Sequence, residues 1–553
     1  MQAWFRAGTP WIWLSAGAIA FCLVMVLGVL GMITANGARH FWPSDLYQVD
    51  LRAEDGQTQP LIFELVRTEE VPVQVLIDAG VSLPYPAESY PRHLLKVANR
   101  DVYGRDFLWQ FDFAITNWRQ PKDVIVLERR EWGPFFGRVQ SLSYQGEVVT
   151  TAEQWLPLLQ QGLKRAQAIL QQIAVIEQDE VGAIHHRLEA LRLEQRRMEL
   201  AGASAAELQL FRELAQAEQT ALDADYELLQ QQRDKLYEEL QRDVLHLMTA
   251  EGATVSLHLS DIMHFHHPNQ MSVAQKIAHY FQAIWRFLTD EPREANTEGG
   301  IFPAIFGTVT MVLLMSILVT PFGVLAAIYL REYAKEGPLL KVIRISVYNL
   351  AGVPSIVYGV FGLGFFVYIL GGNIDALFYP ESLPSPTFGT PGLFWASLTL
   401  ALLTLPVVIV ATEEGLARIP LSIRMGSMAL GATKAETLWQ VVVPLATPAM
   451  MTGLILAIAR AAGEVAPLML VGVVKLAPSL PIDGNFPYIH LEQKIMHLGF
   501  HIYDVGFQSP NVEASRPLLY ATACVLVALI MLLNLAAINL RNSLREKYQS
   551  ESE

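Results

Sequence analysis

The sequence predicts a polytopic α-helical membrane protein: six transmembrane helices, with an α+β insert containing a helical hairpin between the first and the second. Three observations predict this. The chain has 553 residues, 52% hydrophobic and only 17% charged, which is too apolar for a soluble protein of that size. Six apolar stretches, near 11–33, 302–330, 347–370, 392–411, 448–473 and 517–538, have the length of a bilayer crossing. The charge is also confined. Residues 44–300 hold 39 of the 54 acidic and 24 of the 40 basic residues, a net of −15, while the rest nets +1.

Residues 1–43 form a short tail and the first span. Trp11–Ile33 carries no charge and is too long for the apolar region of a signal peptide, so it reads as a retained helix. Residues 44–150 are β-rich, with short strand-like runs at Leu61–Val66, Val71–Ile77, Leu108–Ile115 and Asp123–Leu127, broken by Gly, Pro, Asn and Asp. Residues 151–250 form the hairpin. Leu156, Leu159, Leu163, Ala166, Leu170 and Ile173 recur at +3 and +4, a heptad seam. Ala201 and Gly202 break it. Ser204 with Glu207 is a capping box opening a second helix, which carries Leu229, Leu236, Leu240 and Leu247. In 251–300, Gly252–Leu259 returns one strand, and 272–288 is an amphipathic, aromatic-rich helix suited to the outer membrane surface. Residues 301–545 hold five spans, and 546–553 are a tail.

Lys and Arg orient the spans. Arg331, Lys335, Lys341 and Arg344 occupy one loop, Arg418, Arg424 and Lys434 another, and Arg541, Arg545 and Lys547 the tail. The opposite loop 371–391 has none, and 474–516 has only Lys475, Lys494 and Arg516. The basic side is cytoplasmic. An even number of spans then places both termini inside and residues 44–300 outside. Arg6 and Arg39 balance across the first span, which is therefore oriented by parity. An acidic insert is a poor funnel for anions and a poor partner for nucleic acid. Cys22 and Cys524 both lie in apolar spans, so the insert carries no disulfide.

Two charges stand inside the fifth apolar stretch. Arg460 and Glu464, at i,i+4, share one helix face near its middle. A central Arg costs about 2.5–3.5 kcal/mol on insertion scales, so such groups face a bundle interior or an aqueous path. One reading is a path lining, in which an Arg fork meets an oxyanion and the Glu keeps it from being held too tightly. The other is a structural ion pair. Thr308, Thr310, Ser355 and Tyr358 are candidate hydrogen-bonding additions to the path, though each alone is more often a packed or self-capped residue. Gly453, Ala457 and Ala461 form a small-residue ridge for close helix packing. The histidines His258, His264, His266 and His267 cluster in sequence, but neighbouring carboxylates are few and only His264 and His266 share simple alternation, so they read as surface histidines with no metal. No Gly-rich phosphate loop is present. Gly431-Ala432-Thr433-Lys434 lacks the upstream Gly and the Ser or Thr after the Lys, so any ATP is used by another chain.

The loop 412–447 is the most specific segment. It reads as a short polar helix, a Gly, a second short helix, then Pro444 opening the next span. It resembles the cytoplasmic coupling loop of ABC-importer permeases, with the pattern E-A-A, three residues, G, then a Pro after an aliphatic stretch. Met425, Gly426 and Ser427 stand at the E-A-A positions, followed by Gly431, Ala432, Thr433 and Pro444. The motif's Glu is absent, which removes any salt bridge assigned to it. The segments PREANTEGGIFPAIFGT, NLAGVPSIVYGVFGLGFF and ALGATKAETLWQVVVPLATPAMMTGLILAIARAAGEVAPLML extend the match. Over 290–545 the chain resembles the PstA-type permease of the phosphate-specific ABC importer, in an extended form with a large insert.

The resemblance implies a type I ABC-importer permease fold in a bacterial inner membrane, with the insert periplasmic. It implies a chain without its own enzymatic activity or cofactor. The partners implied are a second, PstC-like permease, two copies of a PstB-like ATPase and a PstS-like periplasmic phosphate-binding protein, with a phosphate-signalling regulator and sensor kinase as further candidates. It also implies that Arg460 and Glu464 line the path, and that the Gly453 ridge faces the partner permease. Two alternatives stay open: a permease for sulfate or molybdate, and a membrane scaffold that reports phosphate status to a sensor kinase.

Overall fold

The computed structural model describes residues 9–550 apart from 53–57, 81, 82, 84, 485, 486, 510 and 511. Arg6 and the last three residues of the tail lie outside the described residues. The chain folds as two compact units. One contains the residues up to His40, Leu288–Glu291 and Ile301 onward; the other contains Phe41–Phe287 and Pro292–Gly300.

In the first unit, six helices among the described residues are long and apolar enough to cross a membrane: Trp11–Arg39, Phe302–Tyr333, Ser355–Phe378, Leu393–Ala417, Lys434–Gly463 and Ser515–Ser543. Three spans differ most instructively from the sequence reading. The third span begins at Ser355, because Gly352 and Pro354 end a separate helix, Pro338–Leu350, that the hydropathy merges with it. The fourth keeps its polar Thr412, Glu413 and Glu414 helical, and runs to Ala417. The fifth begins at Lys434 and ends at Gly463, so Pro444 and Pro448 lie within it and open nothing. Proline is tolerated there, as are Pro321 and Pro406 in the second and fourth spans, because membrane helices relax locally to re-satisfy freed carbonyls. A wide π-helical turn at Thr437–Val442 immediately precedes Pro444.

The core of this unit joins the second, fourth and fifth spans. Met311, Met315, Val319, Leu393, Leu400, Val408, Ala457 and Ala461 are buried together, with Ile530 and Leu533 of the sixth span packed beside them. The first span is exposed over most of its length, as a lipid-facing helix is. It meets the sixth near its end, where Gly37 lies under the Tyr520 carbonyl.

The second unit is built on antiparallel strands. β1 (Leu46–Arg52), β2 (Thr58–Pro72), β3 (Ser89–Lys96), β4 (Phe107–Phe111) and β5 (Ile115–Arg119) form one sheet, in the order β4-β3-β2-β1-β5. β6 (Ile125–Arg129), β7 (Phe135–Tyr144), β8 (Glu147–Val149), β9 (Val244–Met248), β10 (Thr254–His258) and β11 (Ile262–His266) form the other, ordered β10-β9-β7-β6-β11 with β8 on β7. Leu46, Ile62, Val124 and Phe136 share one buried cluster between them.

The hairpin leaves the second sheet after β8. Its first arm is a helix, Ala152–Ala174, that continues through a π-helical stretch into Val181–Leu200. Its second arm is Ala205–Leu240, opened by the Ser204–Glu207 capping box. The buried seam is Trp155, Leu159, Leu163, Ala166, Ile169 and Ile173, against the sheet and Leu240. Leu156 points outward, because the large Trp155 takes the core position one residue earlier. Leu247 belongs to β9, and three strands return after the hairpin where one was expected. The run from Val244 to His266 alternates apolar and polar residues at period two, which a helical seam ending at Leu247 obscures. Helix Val273–Thr289 forms as expected, with Val273, Ile277, Phe281 and Trp285 exposed along one face.

Candidate functional site

The two charges sit at the end of the fifth span, not in its middle. Arg460 is in the last turn of Val443–Gly463, and Glu464 is the extended residue that closes it. Pro467 explains the stop, since it has no N–H for the Gly463 carbonyl four residues earlier and its ring would clash with that carbonyl. The sequence places the pair mid-span only because the apolar run continues through Leu468–Val471, which is a separate single turn. Arg460 Nε lies 3.5 Å from Glu464 Oε1, with side chains 35% and 19% exposed. This Nε makes no hydrogen bond despite being buried. The guanidinium is therefore held loosely by one carboxylate, and most of its donors are not committed to that partner. Such a fork at a helix end can receive an oxyanion.

At the other end of the same span lies the loop 412–447, on the side rich in Lys and Arg. Leu421–Ala429 is a helix and contains Met425, Gly426 and Ser427. Its end is a Schellman closure: the Gly431 amide donates to the Met428 carbonyl at 3.0 Å and the Ala432 amide to the Ser427 carbonyl at 3.4 Å. Gly431 has φ +96°, which explains why the motif needs glycine there. Thr433 then caps the next helix in a capping box with Glu436. The face left outward is apolar: Leu430 is 92% exposed, Leu421 68% and Met425 56%. An exposed apolar face on a charged loop has the character of a docking surface.

The loop is anchored by residues that sequence reasoning passed over. Arg424 pairs with Glu332 at 3.0 Å and donates to the Leu416 carbonyl at 2.6 Å. Ser427 and Thr437 hydroxyls lie 3.0 Å apart. Lys434 donates to the Glu332 carbonyl and stands 4.7 Å above the Tyr333 ring. Arg344 pairs with Glu413 at 2.7 Å. The loop is thus tied to the near ends of the second, fourth and fifth spans. Arg424, one residue before the motif positions, supplies an ion pair of its own where the usual Glu is missing. Arg344, Arg424 and Lys434 were visible in sequence as markers of the cytoplasmic side; nothing in it named their acidic partners.

The Gly453–Ala457–Ala461 ridge is buried inside the chain and does not face a partner. A Cβ on Gly453 would lie 2.7 Å from the Ala411 Cβ of the fourth span, and Ala457 and Ala461 are fully covered. Thr308 is likewise not free to line a path. Its hydroxyl donates to the Ala304 carbonyl at 2.7 Å and accepts from the Leu498 amide at 2.9 Å. Tyr358 donates to the Leu350 carbonyl at 2.6 Å. Only part of the histidine cluster disperses, since His264 and His266 stay on one face of β11. His258 bonds the Gln241 carbonyl at 2.9 Å, and His267 stacks on Trp155.

Residues 319–546 match the family described as binding-protein-dependent transport system inner membrane component. Among curated relatives, the phosphate transport system permease protein PstA of Mycobacterium leprae is 36% identical over 221 residues, covering 39% of this chain and 67% of that protein. The PstA of Yersinia pestis is 30% identical over 256 residues, covering 46% of this chain and 76% of that one. Among solved structures, an inward-facing MetNI methionine ABC transporter aligns with 44% of this chain and 94% of its own, at 18% identity and TM-score 0.33, a likeness too slight to carry an argument.

Proposed function

The chain belongs to the PstA family of phosphate transport system permeases, and from that premise we propose that it forms one membrane half of an ATP-driven importer of inorganic phosphate. It works in the bacterial inner membrane, with both termini cytoplasmic and residues 44–300 periplasmic. It pairs with a second permease and receives phosphate from a periplasmic binding protein. Two copies of a cytoplasmic ATPase hydrolyse the ATP, and this chain catalyses no covalent step.

The observation that carries the reading is mechanical. The fifth span is one helix of 30 residues, about 45 Å long, with the anchored loop at its cytoplasmic end and Arg460–Glu464 at the other. The exposed face of Leu421, Met425 and Leu430 is the surface an ATPase grips. Closure of the ATPase dimer moves that face. The Arg424–Glu332 pair and the Ser427–Thr437 hydroxyl contact carry the movement into the second and fifth spans. The far end of the fifth span then carries the Arg460 fork between orientations, and phosphate passes from periplasm to cytoplasm. Glu464 competes for the guanidinium, so the anion is bound without being trapped.

The test is uptake of radiolabelled orthophosphate by cells that lack their own permease and carry this chain with its operon neighbours. Uptake that excess sulfate and molybdate leave unaffected supports the reading. Uptake competed by either anion reassigns the substrate.

A further inference from the structure

The periplasmic unit gathers a carboxylate and two imidazoles that sequence alone keeps apart. Glu128 is on β6 and His266 on β11, which pair antiparallel with His264 opposite Glu128 and His266 opposite Val126. Glu128 and His266 are therefore diagonal neighbours on one face of the sheet. Helix Val273–Thr289 brings His279 to the same place. The His266 and His279 rings are 4.4 Å apart, and one ligand atom from each of Glu128, His266 and His279 lies within 4.8 Å of the others. His266 Nδ1 is buried and has no hydrogen-bond partner among the described residues. The geometry points to a divalent transition-metal site, of the Zn2+ class, held by Glu128, His266 and His279.

The chemistry of the donors fits. Two imidazoles and one carboxylate suit Zn2+ and its first-row neighbours far better than Ca2+ or Mg2+, and leave a fourth position for water. Burial pushes His266 down to about 4, with His279 beside it acting in the same direction, and burial also lowers His279. Both rings are thus neutral at pH 7, and no proton has to be displaced from either. Glu128 remains a carboxylate: burial opposes its charge most strongly, but Arg286, His264, His266 and Arg293 together outweigh that.

Two cationic groups act on Glu128 and oppose a metal ion there, Arg293 and, in contact, Arg286. Arg286, two turns beyond His279 on the same helix, approaches Glu128 Oε2 at 3.1 Å. A carboxylate has a second oxygen and more lone pairs than one guanidinium uses, so Glu128 can hold both, with Arg286 orienting it. Zinc with bonds of 2.0–2.1 Å needs its ligand atoms about 3.3 Å apart, so the site closes on binding through side-chain rotation.

The experiment uses the full chain in lipid nanodiscs, stripped with a chelator and titrated with Zn2+ against a chromophoric competitor, and with Co2+ to read its visible absorption. The expected result is one ion per chain. His266→Gln and His279→Gln each weaken binding at least tenfold, while His258→Gln, whose ring bonds elsewhere, leaves it unchanged. Arg286→Gln tightens it. The two ligand variants lie on different elements, so if one misfolds by circular dichroism the other still decides. Failure of the wild type to bind at micromolar Zn2+, or equal binding by the ligand variants, overturns the site. Neither readout depends on phosphate transport.

Discussion

Gly431 offers the sharpest test of the loop. Its φ of +96° lies in the region only glycine occupies freely, and a Cβ there would meet nothing within 4 Å. The cost of Gly431→Ala is therefore purely backbone, about 1–2 kcal/mol. Gly426 is the matched control. It lies in the helix Leu421–Ala429, and its Cβ also meets nothing within 4 Å. Gly426→Ala should stabilise by roughly 0.5–1 kcal/mol through lost chain entropy. A penalty of one to two kcal/mol lowers the closed-to-open ratio about 5–30-fold. Hydrogen exchange of the amides at 427–436 in nanodiscs reads it directly, as that much faster exchange in Gly431→Ala and none in Gly426→Ala. Gly431→Pro adds the loss of the amide bond to Met428 and fixes φ near −65°, so it should abolish coupled transport while leaving insertion intact. Equal exchange in wild type and Gly431→Ala, or transport by Gly431→Pro, would refute the reasoning.

Three further outcomes follow from the same structure. Gly453→Ala should cost about 1–3 kcal/mol by overpacking against Ala411, seen as a lower melting temperature of the isolated chain; an unchanged chain with impaired assembly would instead restore the partner-facing ridge. Asp375 is fully buried and accepts from the Phe388 and Gly389 amides at 2.8 and 2.6 Å, so Asp375→Ala strands two donors at roughly 1–3 kcal/mol each, measurable as loss of thermal stability; a neutral variant would contradict this. His490 is pulled down by burial, but its hydrogen bonds to Asp483 and Glu492 outweigh this and raise its pKa. A raised folded pKa means that its contribution to stability is complete below about pH 6.5 and is lost as pH rises through the folded value. A ring titration by NMR with its midpoint below that of a free histidine would refute it.

The spans were legible because about twenty apolar residues have few other uses, and the loop because a helix, a Gly and a cap leave separate marks. Ser204–Glu207 and Gly431 fell where their types demanded. Span ends were not legible. Hydropathy sees neither the break at Gly352 and Pro354 nor the stop before Pro467, so it merged Pro338–Leu350 with the third span and set Arg460 mid-membrane. Thr412–Glu414 show the converse, polar residues that stay helical because the fourth span carries them out of the apolar zone. In the second unit, Leu247 kept the hairpin's apolar spacing while belonging to a strand, and Trp155 displaced Leu156 from the seam by size. The ion pairs Arg424–Glu332 and Arg344–Glu413 join residues far apart in sequence, and so does the group Glu128, His266 and His279. Spacing cannot reveal such pairs, since only the folded chain brings them within reach.

The most direct measurement is radiolabelled phosphate uptake into proteoliposomes holding the complete importer, with wild-type chain or with Arg460→Gln. The Arg460–Glu464 pair is loose and partly exposed, so its loss should cost less than about 1 kcal/mol of stability, and the variant should assemble normally. The account predicts at least a tenfold loss of uptake with ATP hydrolysis retained. Undiminished phosphate uptake by a fully assembled Arg460→Gln complex would contradict it.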